Sequence, residues 1–226
     1  MDNNKLKKLV AKEAVTQISD GMIIGLGTGS TMKYVLEYLS DQVKNGLNIY
    51  GIPTSENTAK LAKQLEIPLL SFKEVNRLDL AIDGADEVDA NFNLIKGGGG
   101  ALLREKIIAD SSKSFIVVID KTKLVEQLGA FLLPVEIIPF GWEITAQKVE
   151  SLGGVSTLRN FYNQPYVTDN GNYILDCDFG FIDNPGNLEK NLNSIIGVVD
   201  SGLFINMTNK VLVSDEHSIK TLDNIM

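Results

Sequence analysis

Leu78-Asp79-Leu80-Ala81-Ile82-Asp83-Gly84-Ala85-Asp86-Glu87 is an apolar run delivered straight into a cluster of acids. Leu78 to Ile82 reads as a buried strand of a parallel sheet, so Asp83, Asp86 and Glu87 emerge at its C-terminal end. Open α/β sheets bind their ligands at that edge. Close behind come Lys96-Gly97-Gly98-Gly99-Gly100 and Arg104-Glu105-Lys106. Acids, a cation and bare backbone amides within one short span are the equipment for moving protons on an anionic substrate.

Working outward, short apolar runs at Met22 to Gly25, Leu47 to Ile52, Leu78 to Ile82 and Ser114 to Ile119 alternate with helical patterns. Leu6, Leu9, Val10 and Ala14 keep helical spacing, and Thr31 to Leu39 and Ser55 to Leu65 read as crossover helices. Such alternation predicts an α/β fold, a Rossmann-like, mostly parallel sheet flanked by helices. After Leu133-Pro134-Val135-Glu136-Ile137-Ile138 the pattern changes. A helix over Ile144 to Leu152, strands at Val155 to Leu158 and Tyr173 to Phe179 around an Asn170-Gly171 turn, a helix over Leu188 to Ile195 and the run Gly197-Val198-Val199 follow. That order is a split βαβ, ferredoxin-like α+β domain inserted before a C-terminal return. The runs Leu203 to Met207 and Lys210 to Val213 are expected to carry the return to the first sheet. The expected domains are therefore 1–130 plus 204–226, catalytic, and 131–203, small.

The chain has 226 residues, 44% hydrophobic and 22% charged, with a net charge of -8. That length buries a sizeable core. The negative charge disfavours a nucleic-acid partner, which requires clustered cations. No apolar run is long enough to span a bilayer and Met1-Asp2-Asn3-Asn4-Lys5 lacks a signal-type core, so no membrane association and a cytoplasmic location are expected. Cys177 and His217 are the only residues of their kinds. One cysteine excludes an intrachain disulfide and one histidine excludes a histidine-rich zinc site, so no metal is assigned. Cys177 reads as a buried structural thiol and His217 as a solvated residue near the C-terminus.

Gly25-Leu26-Gly27-Thr28-Gly29-Ser30-Thr31 follows the first strand and opens a helix. Its amides, with the Thr28, Ser30 and Thr31 hydroxyls, suit an anion; a tight turn with a Ser/Thr cap uses the same residues. It lacks the Gly-Lys-Ser/Thr ending of a Walker loop and the Gly-x-Gly-x-x-Gly spacing, so a nicotinamide cofactor is disfavoured, and no cofactor is assigned. Asp83 and Asp86 fit proton transfer, turn and cap chemistry, or a magnesium site. Gly97 to Gly100 fits an anion-binding concavity or a flexible loop. Glu105, one turn into the helix those glycines open, is a general base with its pKa moved toward neutrality, or a complement to the helix dipole. Lys7, Lys123, Arg104 and Lys106 taken singly read as surface charges.

Together and in order, Gly25 to Thr31, Asp83-Gly-Ala-Asp-Glu87, Lys96-Gly-Gly-Gly99 with Arg104-Glu105-Lys106, Leu133-Pro-Val-Glu136, Val167-Thr-Asp-Asn-Gly-Asn172 and Gly197-Val-Val with Ser201-Gly-Leu-Phe204 resemble the type A ribose-5-phosphate isomerases. The resemblance implies metal-independent interconversion of ribose 5-phosphate and ribulose 5-phosphate in the pentose phosphate pathway, and a homodimer or tetramer. It makes Glu105 the base and Asp83, Asp86 and Lys96 its catalytic partners. Substrate-binding segments fall on Lys7, Thr28, Gly29, Ser30, Thr31, Asp83, Gly84, Ala85, Asp86, Lys96, Gly97, Gly98, Gly99 and Lys123. Gly100 stands where many relatives are expected to carry alanine, a departure that should loosen the loop. An amino-sugar-phosphate deaminase-like enzyme would call for a catalytic histidine, and His217 is poorly placed. A sugar-phosphate sensor of the repressor type would call for a DNA-binding module ahead of Met22.

Overall fold

In the computed structural model, which describes residues 3–216 and 218–224, the chain opens with α1 (Asn3–Val15), β1 (Ile23–Leu26), α2 (Ser30–Lys44), β2 (Tyr50–Pro53), α3 (Glu56–Gln64) and β3 (Leu80–Asp83). Two short strands, β4 (Glu87–Val88) and β5 (Leu94–Ile95), precede α4 (Leu102–Asp110), β6 (Phe115–Asp120) and a 3-10 turn (Lys121–Lys123). Next come β7 (Leu133–Ile137), α5 (Trp142–Glu150), β8 (Val155–Leu158), β9 (Asn160–Phe161), β10 (Gln164–Pro165) and β11 (Tyr173–Asp178). The chain finishes with α6 (Pro185–Asn193), β12 (Val198–Ser201), β13 (Leu203–Phe204), β14 (Lys210–Ser214) and β15 (Ile219–Asp223). His217 lies outside the described residues.

The chain groups into two compact units, the first of Met1–Ala85, Arg104–Lys123 and Met207–Met226, the second of Asp86–Leu103 and Leu124–Asn206. The first holds a six-stranded sheet in the order β15-β14-β6-β3-β1-β2, parallel throughout except for the edge strand β15. Its central strands are apolar on both faces: Ile24, Leu26, Leu80, Ile82, Ile116 and Val118 are buried in one core, and Ala81, Phe115, Val117 and Ile119, on the opposite face, are buried as well. Met32, Val35, Leu36 and Leu39 give α2 its buried stripe at helical spacing, and Val10, Ala11 and Ala14 do the same for α1. Ser55 caps α3 by accepting from the Thr58 amide. The C-terminal ends of β1, β3, β6 and β14 therefore share one edge of the sheet.

In the second unit, β7, α5, β8, β11, α6 and β12 make the expected split βαβ arrangement, a four-stranded antiparallel sheet in the order β12-β7-β11-β8. Leu133, Val135, Ile137, Val149, Leu175, Cys177 and Leu192 pack as its core. One run goes elsewhere than expected. Leu203 to Met207 does not return to the first sheet; β13 pairs antiparallel with β5, Leu203 opposite Ile95 and Phe204 opposite Leu94. All four residues are fully buried, and an apolar run reports burial without saying which sheet supplies it. Residues 86–103, read from sequence as part of the first domain, and 204–206 accordingly group with the second unit. The return proper is β14, parallel to β6.

Candidate active site

Asp83 ends β3 and is 3% exposed. Its Oδ1 accepts from the Gly84 amide at 2.8 Å and from the Thr28 amide at 3.1 Å, so the acid and the glycine turn after β1 are one structure. Gly27 makes this possible. A Cβ there would lie 2.1 Å from Asp83 Oδ1 and 2.7 Å from Asp83 Cα, a collision with backbone that no rotamer relieves.

The Thr28 hydroxyl faces inward. It donates to Ser55 Oγ at 2.8 Å and lies 2.7 Å from Thr54 Oγ1 and 3.1 Å from Thr58 Oγ1. Thr58 in turn donates to the Gly27 carbonyl and Thr54 to the Leu26 carbonyl, both at 3.0 Å. This hydroxyl cluster fixes the turn from beneath. The donors left for an anion are those beyond Thr28: Gly29, which precedes α2 with φ 119° and no side-chain cap, exposed Ser30, and Thr31. Lys7 joins them, its Nζ donating to Ser30 Oγ at 2.9 Å across 23 residues of sequence. An uncapped helix start beside an ammonium group favours a phosphate-like charge. Lys123, half-buried, closes the 3-10 turn after β6. Glu105, in the first turn of α4, is 5% exposed. An acid serving only the helix dipole needs no such burial. Arg104 beside it is committed to a 2.8 Å ion pair with Glu56.

In the second unit Lys96 directly follows β5 and is 3% exposed. Its amide donates to the Gly202 carbonyl at 2.8 Å and its Nζ lies 5.4 Å from the centre of the Phe204 ring. The Ser201-Gly-Leu-Phe204 segment thus backs this lysine. Asp86 donates its amide to Ile95 and accepts from the Gly98 amide at Oδ2, both at 2.8 Å. The glycines form a turn, Gly100 N to Gly97 O at 2.9 Å, in which Gly98 and Gly99 are exposed while Gly97 and Gly100 are buried. Gly100 does not loosen this loop. Its φ is +81° and a Cβ would stand 2.2 Å from the Tyr166 hydroxyl oxygen, so glycine here admits a close aromatic neighbour.

Several residues that sequence reasoning passed over support these groups. Glu87, buried, accepts from the Gly129 and Phe131 amides at 2.7 and 2.6 Å. Arg159 pairs through two nitrogens with Asp176 and donates to the Gly97 and Gly98 carbonyls at 3.0 and 3.3 Å. Glu136, fully buried, accepts at Oε1 from Thr168 at 2.9 Å, Asn172 at 2.8 Å and Asn170 at 3.3 Å. Glu87 and Glu136 had a signal, since both lie in segments that carry the resemblance, and so do the three partners of Glu136; Arg159 had none. Cys177 is buried in the core, and burial, followed by the Asp176 and Glu150 charges, pushes its thiol up to about 12. A thiol so placed is no nucleophile. Among the described residues no group of three His, Cys, Asp or Glu side chains is arranged to hold a metal ion, and no helix is long and apolar enough to cross a membrane.

A parallel sheet whose carboxyl edge bears a glycine turn, the buried Asp83 and, after β6, Lys123 is the build of an α/β protein for small anionic ligands. Comparison with known proteins narrows this. The sequence model of the family Ribose 5-phosphate isomerase A (phosphoriboisomerase A) matches residues 50–218. Ribose-5-phosphate isomerase A of Bacillus cereus is 53% identical over 96% of this chain and 99% of its own. A ribose 5-phosphate isomerase A from Methanocaldococcus jannaschii superposes with a TM-score of 0.94 at 42% identity, covering 98% of this chain and 100% of that one. A D-ribose-5-phosphate isomerase in complex with phospho-erythronic acid superposes with a TM-score of 0.95, also at 42% identity, covering 99% and 100%. The chain belongs to the ribose 5-phosphate isomerase A family.

Proposed function

We infer that the chain interconverts ribose 5-phosphate and ribulose 5-phosphate through an enediolate, the aldose-ketose step of the non-oxidative pentose phosphate pathway. The observation that carries this reading is the burial of Asp83, Lys96 and Glu105, three ionisable side chains kept out of water inside the segments that carry the resemblance. Such burial is costly and concentrates at functional positions. In the aldose the Glu105 carboxylate takes the proton from C2, weakly acidic beside the C1 carbonyl, and the electron pair moves into a C1–C2 double bond. Lys96 and the Gly97–Gly99 amides stabilise the charge that reaches O1. Glu105 then returns its proton to C1 as the C2 hydroxyl gives its own to O1, which becomes the C1 hydroxyl while C2 becomes the ketone. Asp83 and Asp86 serve ring opening and the hydroxyl proton transfers. Gly29, Ser30, Thr31, Lys7 and Lys123 hold the phosphate, while Thr28 shapes the turn and Gly84 and Ala85 line the substrate segment.

The reading needs no metal, because every proposed step is a proton transfer between side chains and substrate. The complex of a similar isomerase with phospho-erythronic acid supports a phosphorylated sugar acid as a mimic of the intermediate. The family resemblance supports a homodimer or tetramer, and sedimentation would count the subunits. Purified protein, treated exhaustively with a chelator and mixed with ribose 5-phosphate, is expected to produce the ketose at its untreated rate. Absence of ketose formation before chelation rejects the reading. Loss on chelation, restored by magnesium or manganese, turns Asp83 and Asp86 into a carboxylate metal site.

A further inference from the structure

Arg159 lies between β8 and β9, in a stretch with no motif, yet its guanidinium is the meeting point of three elements. Nε donates to Asp176 Oδ2 at 2.9 Å and a terminal nitrogen bonds Oδ1 of the same carboxylate, which sits on β11. The other terminal nitrogen donates to the carbonyls of Gly97 and Gly98 at 3.0 and 3.3 Å. The guanidinium carbon lies 5.9 Å from the centre of the Tyr166 ring, the same ring that packs on Gly100. Both charged side chains are mostly buried, 14% and 21% exposed. A two-point pair with a carboxylate fixes the guanidinium plane, so its remaining donors point in set directions.

Four consecutive glycines have no side chains to choose their backbone conformation, and the choice must come from outside. In a planar trans peptide the C=O and N–H point in opposite directions. Arg159 on the Gly97 carbonyl and Asp86 on the Gly98 amide therefore hold the Gly97–Gly98 peptide at both ends. Arg159 on the Gly98 carbonyl turns the next peptide so that the Gly99 N–H faces away from the guanidinium, at an exposed position.

We propose that Arg159 is a positioning residue for the isomerisation, setting the Gly97–Gly99 backbone so that the Gly99 amide is presented as a donor and Asp86 keeps its place. This rests on the isomerase reading above. Lysine cannot replace it, because an ammonium group cannot hold Asp176 at two points and two carbonyls together.

Wild type, Arg159→Met, Arg159→Lys and the double variant Arg159→Met/Asp176→Asn, which strands no carboxylate, are compared in three measurements: steady-state kinetics with ribose 5-phosphate, melting temperature, and amide hydrogen exchange. All three variants are expected to lose about 100-fold in kcat, the scale of a donor displaced by an ångström, with KM little changed. Exchange at Gly98, whose amide is held by Asp86, should accelerate while that of β6 and β7 stays slow. Unchanged kcat with unchanged glycine exchange overturns the proposal. So does a loss of kcat that tracks a fallen melting temperature and faster exchange through β7 in every variant, which would make Arg159 a structural residue only. If wild type itself forms no ketose, the isomerase reading fails and so does the catalytic part of this proposal, while glycine exchange still decides whether Arg159 orients the loop.

Discussion

Glu105 and Cys177 show what burial means for a single residue. Each is buried, and their chemistry makes the outcomes opposite. For Glu105 the glutamine variant keeps the shape and hydrogen-bonding reach of the side chain but cannot accept a carbon-bound proton. Glu105→Gln is expected to fold normally and to lose at least about 1,000-fold in kcat, and exchange of the C2 proton with deuterated solvent should fail with it. Near wild-type turnover in that variant rejects Glu105 as the base. Cys177 has its thiol pushed up to about 12 from an ordinary 9.0, so the native thiol stays protonated where an unfolded one ionises. Native protein at pH 8 should resist alkylation by iodoacetamide that labels the denatured chain at once. A folded pKa above the unfolded one stabilises the fold fully below pH 9 and loses that stabilisation as pH rises toward 12. Denaturation midpoints measured between those values should fall.

At the scale of elements, the strands and helices that the sequence makes plain are those whose residues are decided locally. β3 and β6 are short apolar runs ending in Asp, β1 is one that runs into Gly27, and α2 carries its stripe at helical spacing. β15 was invisible because an exposed edge strand, Ile-Lys-Thr-Leu-Asp, needs no apolar run. β4 and β5 were invisible because two residues carry no period. Arg159 escaped for a related reason: its partners, Gly97, Gly98 and Asp176, are remote in sequence, and a lone arginine carries no pattern. Glu136 shows the opposite case, since the segments joined by its carboxylate were both conspicuous while the bond between them was not. Glu136→Ala leaves the Thr168, Asn170 and Asn172 donors without their common acceptor and is expected to cost about 2 kcal/mol or more, read from denaturant unfolding. The two ends of the proposed substrate divide by element as well. Lys7→Ala, beside the start of α2, should mainly raise KM, because phosphate binding is common to ground and transition states. Lys96→Ala, following β5, should mainly lower kcat.

For the molecule as a whole, each fold was legible because each unit repeats one rule, helices over a parallel sheet in the first and a split βαβ in the second. The boundary was less so, because residues 86–103 follow β3 without any break in composition yet group with the second unit. Charge is the other whole-molecule property, and it opposes the proposed substrate: a chain of net charge -8 must bind a phosphorylated anion. Distance decides which field prevails. At physiological ionic strength, charges more than about 8 Å apart are largely screened, so the scattered excess of acids is muted. Lys7, with its ammonium 2.9 Å from Ser30 Oγ at the start of α2, acts at contact range. Raising salt from about 0.1 M, where the screening length is about 10 Å, to about 1 M, where it is about 3 Å, should therefore weaken the local attraction and raise KM for ribose 5-phosphate. The slope should be shallower in Lys7→Ala and in Lys123→Ala, because each lacks one of the charges being screened. A KM that falls with salt would show the global field to be the stronger. An unchanged slope in both variants would move the phosphate away from the turn that follows β1.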